Sequence, residues 1–265
     1  MRAAIWPGAI GPAMGALRLP SRLGFAAVAG LVLLSTLPAS GSPAASPPLV
    51  RFHPSYALYG GVPVLGSRIL LASGNATNLP PIGPSFSDRN GKVHERIVSE
   101  VRGGYGLAEM VVRAGVQNLS FSCPSTCASS WHPVVIVWNL TDFGAVIDTC
   151  RPGVGVGWFS IGVAGEVTDL ASHSGYGLVG WGFQTVWHLQ LSIPGSAGAS
   201  DDAQAVTLRF SANLTSGHHY TLESYIQEKT FVSSPGCYVR SEASVGYWGL
   251  YAASGPSYLR SLTVH

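Results

Sequence analysis

The stretch Gln-Ala-Val-Thr-Leu-Arg-Phe-Ser-Ala-Asn, residues 204–213, alternates apolar and polar side chains from Val206 onward. Val206, Leu208, Phe210 and Ala212 share one parity, and Thr207, Arg209, Ser211 and Asn213 share the other. A period of two residues is typical of a β-strand with one buried face and one solvated face. The stretch therefore predicts a half-buried antiparallel strand.

The same period recurs through the second half of the chain. It predicts further strands at 105–114, 117–123, 132–140, 145–150, 154–167, 177–191, 220–227, 237–245 and 257–264. One helix alone is predicted, near 91–102, because Val93, Ile97 and Val101 recur every four residues. Breaker-rich stretches predict loops at 75–84 and 194–202. Nine or ten strands with at most one short helix predict an all-β antiparallel sandwich or jelly-roll-like domain.

The N-terminus contains fifteen uncharged, mostly apolar residues, 23–37, after Arg18 and Arg22 and before Ala39-Ser40-Gly41. This pattern predicts a signal peptide over 1–41, or an uncleaved signal anchor. A Pro/Ser/Ala-rich linker follows at 42–50, and a single extracytoplasmic domain is expected over 51–265. We therefore expect an extracellular or cell-surface protein, which contacts the membrane only through the N-terminal segment if that segment is retained.

The charge of the chain excludes two classes of partner. Three of the 15 basic residues lie in 1–41, which leaves 12 against 13 acidic residues in the body. The body has no Lys/Arg cluster, so the sequence predicts no binding to nucleic acid or to an anionic membrane surface. A cell-surface or extracellular glycan or protein remains as the expected partner.

Few charges are available to keep this chain soluble, because only 11% of its residues are charged. Four Asn-x-Ser/Thr triplets offer another solubilising group if the host glycosylates them. They begin at Asn75, Asn118, Asn139 and Asn213. The alternation of the predicted strands places Asn118 and Asn213 on polar faces, where a glycan would have to be.

Four cysteines predict two disulfides in an exported protein. We expect Cys123 to pair with Cys127, and Cys150 to pair with Cys237, although two other pairings are open. A zinc site would need reduced thiolates and a second close pair, which the sequence lacks. The sequence predicts no metal and no cofactor.

None of the candidate catalytic motifs has the neighbouring residues that its chemistry requires. Gly153, Gly155 and Gly157 lack the Gly-Lys-Ser/Thr and the helix of a phosphate loop. Ser160 is preceded at the second position by Trp158 rather than by the glycine of a nucleophile elbow. His218-His219 fits a turn, and Asp201-Asp202 fits a solvated loop.

Exposed aromatic rings remain as candidates for ligand binding, since sugars stack on such rings. Trp158, Tyr225, Tyr238 and Trp248 have the parity of polar neighbours and are expected to face outward. Trp181 and Trp187 share the parity of apolar neighbours and are expected in the core.

The sequence thus predicts a non-catalytic binding or structural module that binds carbohydrate through exposed rings. The alternative is a secreted hydrolase of glycans or peptides with paired carboxylates, for which Glu166 and Glu223 are the acids to test.

Overall fold

The structure is a computed structural model that describes residues 47–52, 62–64, 69–79, 86–87, 92–171, 177–246 and 257–265. The predicted signal segment, most of the linker and Trp248 lie outside these residues. The described residues form strands and turns, without a helix, so the all-β prediction is confirmed. In this part of the chain there is accordingly no helix long and apolar enough to cross a membrane.

The described residues form eleven strands, several of them much longer than the sequence pattern indicated. Their bounds are Val50–Phe52 (β1), Val62–Val64 (β2), Ile69–Leu79 (β3), Phe86–Ser87 (β4), Lys92–Ser122 (β5), Ser130–Asp148 (β6), Val156–Asp169 (β7), Leu178–Leu191 (β8), Gly195–Leu214 (β9), His219–Val245 (β10) and Ser257–Val264 (β11). Every recorded strand pairing is antiparallel.

The sheet folds over so that two halves face each other. One half has the order β3-β5-β10-β7-β8, and the other has the order β1-β11-β6-β9. The halves join at one end, where β5 pairs with β11 and β6 pairs with β10, so that β5, β11, β6 and β10 form a closed ring. A sandwich with one closed end results.

The core lies between the halves and is built from the inward residues of each strand. Trp138 is fully buried, and its Nε1 donates a hydrogen bond to Ser224 Oγ at 2.8 Å, which joins β6 to β10 across the core. Val134, Ile136 and Leu140 line the same face of β6 and are also fully buried. The two halves are therefore held by continuous apolar packing, which the hydrogen bond of Trp138 supplements inside the core.

The prediction of a helix near 91–102 is wrong, because residues 92–102 belong to β5. Val93, Ile97 and Val101 are buried, but so are the residues between them at the same parity, Glu95 and Ser99. Residues four apart share a face in a strand as well as in a helix. Because Glu95 and Ser99, which lie between the apolar residues on that face, are polar, the pattern resembled one face of a helix.

The loops predicted at 75–84 and 194–202 are also strand in part. Ile69–Leu79 pairs with β5 and includes Asn75, and β9 begins at Gly195 and pairs with the end of β6. Small residues in Gly195–Gly198 gave no visible alternation, because glycine, serine and alanine differ little in hydropathy.

Both disulfides have the pairing expected from the sequence. Cys123 bonds to Cys127 within a short turn, and Cys150 bonds to Cys237, 87 residues away. The described part of the chain contains no free cysteine. Two disulfides are typical of proteins that fold in an oxidising environment, outside the cytoplasm.

The interior also holds ionisable groups. Glu95, Asp142 and Glu228 are each 1 to 2% exposed. Burial raises the pKa of Glu228 well above its usual range, and the nearby Glu95 and Asp142 raise it further. An acidic interior of this kind makes the stability of the fold depend on pH.

Candidate binding cleft

The outer face of the β5-β10-β7-β8 half carries the groups that can bind a ligand. Along β10, the residues between Glu223 and Phe231 alternate, so that Ile226 and Glu228 are buried toward the core while Tyr225 and Gln227 point the other way. We call this surface, away from the core, the outer face.

Strand register decides which side chains meet on the outer face. Glu223 pairs directly with Glu166 of β7, and Glu166 pairs with Trp181 of β8. Two residues further along β10, Tyr225 pairs with Ala164, and Ala164 pairs with Phe183 of β8. Side chains of directly paired residues lie next to each other on one face of a sheet.

Small residues open a cleft among these side chains. A Cβ at Gly162 would lie 2.5 Å from the ring of Phe183, so only glycine lets that ring lie across β7. Ala164 keeps the neighbouring position shallow. The resulting cleft has a volume of about 390 Å³. Its lining residues are Arg113, Ala164, Glu166, Trp181, Gly182, Phe183, Tyr225, Gln227 and Lys229.

Polar contacts fix the floor of the cleft. Tyr225 donates its hydroxyl hydrogen to Glu166 Oε1 at 2.7 Å. The Arg113 guanidinium lies over the Tyr225 ring, 4.7 Å from its centre, and donates from Nε to Gln227 Oε1 at 3.2 Å. Tyr225 is therefore held from both sides, which gives the cleft a rigid aromatic floor.

At the acidic end of the cleft, Glu166 lies beside its cross-strand neighbour Glu223. Burial, together with the hydrogen bond and negative charge of Glu166, raises the pKa of Glu223 to about 7, while Arg113 acts in the opposite direction. Burial and Glu166 also raise the pKa of Tyr225 above its usual range. Near neutral pH, Glu223 is thus a carboxyl group that can gain or lose a proton.

Trp181 was expected in the core, and this prediction is wrong, because Trp181 is 64% exposed at the mouth of the cleft. Ile161 pairs with Trp187 but Gly162 pairs with Thr185, so Val186 is an extra residue in β8. A β-bulge of this kind reverses the parity of the residues beyond it. Trp187 and Leu189 accordingly pack against the core, whereas Trp181 and Phe183 face outward.

The four rings chosen from the sequence do not form one site. Tyr225 lies in the cleft, but it is only 4% exposed because Arg113 covers its ring, so the expectation of an exposed ring is wrong for this residue. Trp158 is half-buried on the outer face and stacks on Phe231, with the ring centres 5.5 Å apart. Phe231 and Tyr225 are six residues apart on β10, which is roughly 20 Å. Trp248 is outside the described residues.

Tyr238 belongs to a different and smaller cleft of about 260 Å³. That cleft also contains Arg240 and Glu242, whose side chains pair at 2.9 Å. Arg240 further approaches Glu100 at 3.7 Å. Because these charged groups already form ion pairs with one another, the second cleft has few free charged groups to bind a polar ligand.

The predicted glycosylation sites lie apart from the cleft residues. Asn75, Asn118 and Asn213 are exposed, and Asn139 is half-buried. Asn118 has a φ of 60°, at the point where β5 and β10 shift register. Each exposed asparagine can carry a glycan without displacing a core residue.

One group of potential metal ligands is present among the described residues. Ligand atoms of Cys123, Cys127 and His132 lie within 4.8 Å of one another. The two sulfur atoms are joined as a disulfide and offer no thiolates. Both ring nitrogens of His132 face backbone carbonyl oxygens, of His265 at 2.5 Å and of Ala128 at 2.8 Å. This group therefore acts as a structural clip in the oxidised protein.

Sequence reasoning missed the site as a set. Glu166, Glu223 and Tyr225 were each named, but nothing in the sequence showed that the two acids are paired across strands. Arg113, Gln227 and Lys229 were not selected. Their common parity with Tyr225 was a usable signal for Gln227 and Lys229, which are on the same strand.

Comparison of this chain with protein-family models, with curated proteins and with solved structures found no match.

Proposed function

We propose that this protein is an exported β-sandwich that binds carbohydrate in the cleft on its outer face. The observation that carries the proposal is the exposed ring of Trp181 beside Glu166 and Glu223. In this proposal the protein acts at the cell surface or outside the cell, as a binding module.

A sugar ring has an apolar face of C–H groups and a rim of hydroxyl groups. Aromatic rings stack against the apolar face, while carboxylates and amides bind the hydroxyls. Trp181 and Phe183 supply exposed rings, and Glu166 and Gln227 supply acceptors within the same cleft. The floor is held in place by Arg113 and Tyr225, so little conformational entropy is lost on binding.

Export and glycosylation belong to the same proposal. The apolar segment 23–37 supplies the signal or the anchor, and the two disulfides are compatible with an extracellular location. Glycans at Asn75, Asn118, Asn139 and Asn213 would add the solubility that few charged residues provide. Sequential release of these glycans and mass measurement would count the occupied sites.

Changing Trp181 to alanine tests the binding proposal. The full chain is produced through an oxidising export pathway, and its affinity for a panel of soluble oligosaccharides is measured by calorimetry. Because stacking on an exposed indole ring supplies much of the contact, we expect Trp181→Ala to weaken binding at least tenfold, which corresponds to about 1.4 kcal/mol.

Trp131→Ala is the matched control, since Trp131 is 66% exposed but does not line the cleft. We expect this variant to bind like the wild type. Folded protein that binds no oligosaccharide, or equal losses in the two variants, would overturn the proposal and leave a structural role.

The paired carboxyl groups favour a second candidate, a hydrolase. Glu166 could act as a general base, and Glu223, whose raised pKa favours the protonated form, could act as a general acid, which are the two roles that acid–base hydrolysis needs.

If the cleft is catalytic, the full chain will cleave glycans or peptides slowly at mildly acidic pH. Glu166→Gln is then expected to lower the turnover at least 100-fold, as loss of a general base does. Reducing-end and amine release assays on the same panel measure both reactions. Binding without turnover by the wild-type chain would reject the hydrolase and keep the binding module.

A further inference from the structure

We propose that the ligand of the cleft is an acidic oligosaccharide, whose carboxylates are bound by Arg113 and Lys229, and that its affinity is set by pH. This inference rests on the proposed carbohydrate-binding function and adds the charge of the ligand and the regulation of binding. It is carried by the placement of Arg113, Lys229 and Glu166 along one cleft, with Glu223 paired to Glu166 across the strands.

Neither Arg113 nor Lys229 forms an ion pair within 4 Å in the described part of the chain, although the charge of Arg113 acts on Glu223. The ion pairs there involve Arg96, Arg102, Arg240 and His218. Arg113 donates to the neutral Gln227 and covers Tyr225, and these contacts occupy only part of its five N–H donors. The cleft therefore presents cationic donors whose charge a bound anion would satisfy.

Lys229 and the acids lie at opposite ends of the cleft, and Arg113 lies between them over Tyr225. On β10, Glu223 is six residues from Lys229, which is roughly 20 Å along the strand. A span of this length is several times the width of one pyranose ring. The cleft therefore fits a short chain of sugars that runs along β10, with one ring on Trp181 and its charged groups toward Lys229.

The carboxyl groups at the acidic end make the affinity for an anionic ligand depend on pH. Glu223 is faced by Glu166 from β7 and by the charge of Arg113 from β5, and Trp181 is at the same register on β8. While Glu223 is protonated, Glu166 is the one negative charge at that end, and Arg113 and Lys229 outweigh it. When Glu223 loses its proton, the cleft loses that excess of positive charge and repels an anionic ligand.

The probes are a galacturonate tetramer and its methyl ester, which has the same shape without the charges. Sugar carboxylates resemble α-carboxyl groups and stay ionised from pH 5 to pH 8. At pH 5.5 and low salt, we expect the full chain to bind the free acid about tenfold more tightly than the ester. Added salt is expected to remove most of that difference.

Two variants test whether Lys229 and Glu223 cause the preference for the free acid and its pH dependence. Lys229→Met keeps the apolar stem and removes the charge, so we expect a three- to tenfold loss for the free acid and no change for the ester. Glu223→Gln imitates the protonated carboxyl group. We expect the wild type to lose affinity for the free acid about fivefold between pH 5.5 and pH 8, and the variant to lose none.

His188 is a further ionisable group on the outer face, on β8 opposite Ser160. A His188→Gln variant with unchanged pH dependence supports Glu223 as the group that sets it, and a flat profile in this variant would overturn that role. Equal affinity for acid and ester overturns the inference about charge but leaves the binding function intact. If neither probe nor any neutral oligosaccharide binds, the proposed function itself fails.

Discussion

Replacing Cys150 and Cys237 together with serine is expected to destabilise the fold by about 4–5 kcal/mol, because the bond closes a loop of 87 residues. Such a loop has many conformations in the unfolded chain, and the bond removes most of them. The bond also ties the end of β6 to β10 beside the closed end of the sandwich, where Val239 pairs with Asp148. Urea unfolding of the exported chain, followed by intrinsic fluorescence, measures the loss.

The second disulfide provides the comparison for this prediction. The Cys123–Cys127 bond spans only four residues, and its removal is expected to cost about 2 kcal/mol on the same model. If the two double-serine variants are equally stable, loop entropy is not what the long disulfide contributes, and the prediction is wrong.

Changing Glu228 to glutamine is expected to stabilise the protein at neutral pH and to flatten its pH dependence. Burial raises the pKa of Glu228 in the folded state, so the folded chain binds a proton that the unfolded chain releases. Stability therefore falls as pH rises above about 4.5, by up to about 1.4 kcal/mol per pH unit for this group. Glutamine has no proton to retain, and this loss disappears.

Thermal unfolding at pH 4.5, 6 and 8 tests the prediction. We expect the wild type and Glu228→Gln to be similar at pH 4.5, and the variant to unfold at a clearly higher temperature at pH 8. Glu109→Gln on β5 is the control, since Glu109 is half-buried and pairs opposite Phe231. Parallel pH profiles for wild type and Glu228→Gln would show that this buried carboxyl group does not determine the pH dependence.

The fold class could be predicted from sequence because apolar alternation survives in most strands. Residues 204–213 are the clearest case, and they lie within β9 as expected. The first part of β5 failed because buried Glu95 and Ser99 interrupted its apolar face. Only tertiary structure can show that a polar side chain is enclosed, so no single-sequence pattern would have corrected this error.

The candidate site depended on register, which the sequence does not contain. Parity placed Tyr225 among outward residues, but one extra residue at Val186 moved Trp181 from the expected core to the cleft. Likewise, a sequence separation of 57 residues between Glu166 and Glu223 gives no sign that these residues are cross-strand neighbours. A site assembled from four strands is visible only after those strands are aligned.

The position of β11 has a consequence for the order of folding events. β11 pairs with both β5 and β6, yet it begins more than 100 residues after each of them ends. Contacts between such distant segments form slowly, because a large loop must close before any pairing energy is gained. Until β11 arrives, the edges that it will cover on β5 and β6 remain open to other chains. A chaperone that shields those two edges while the chain folds would therefore act on a late step of the assembly.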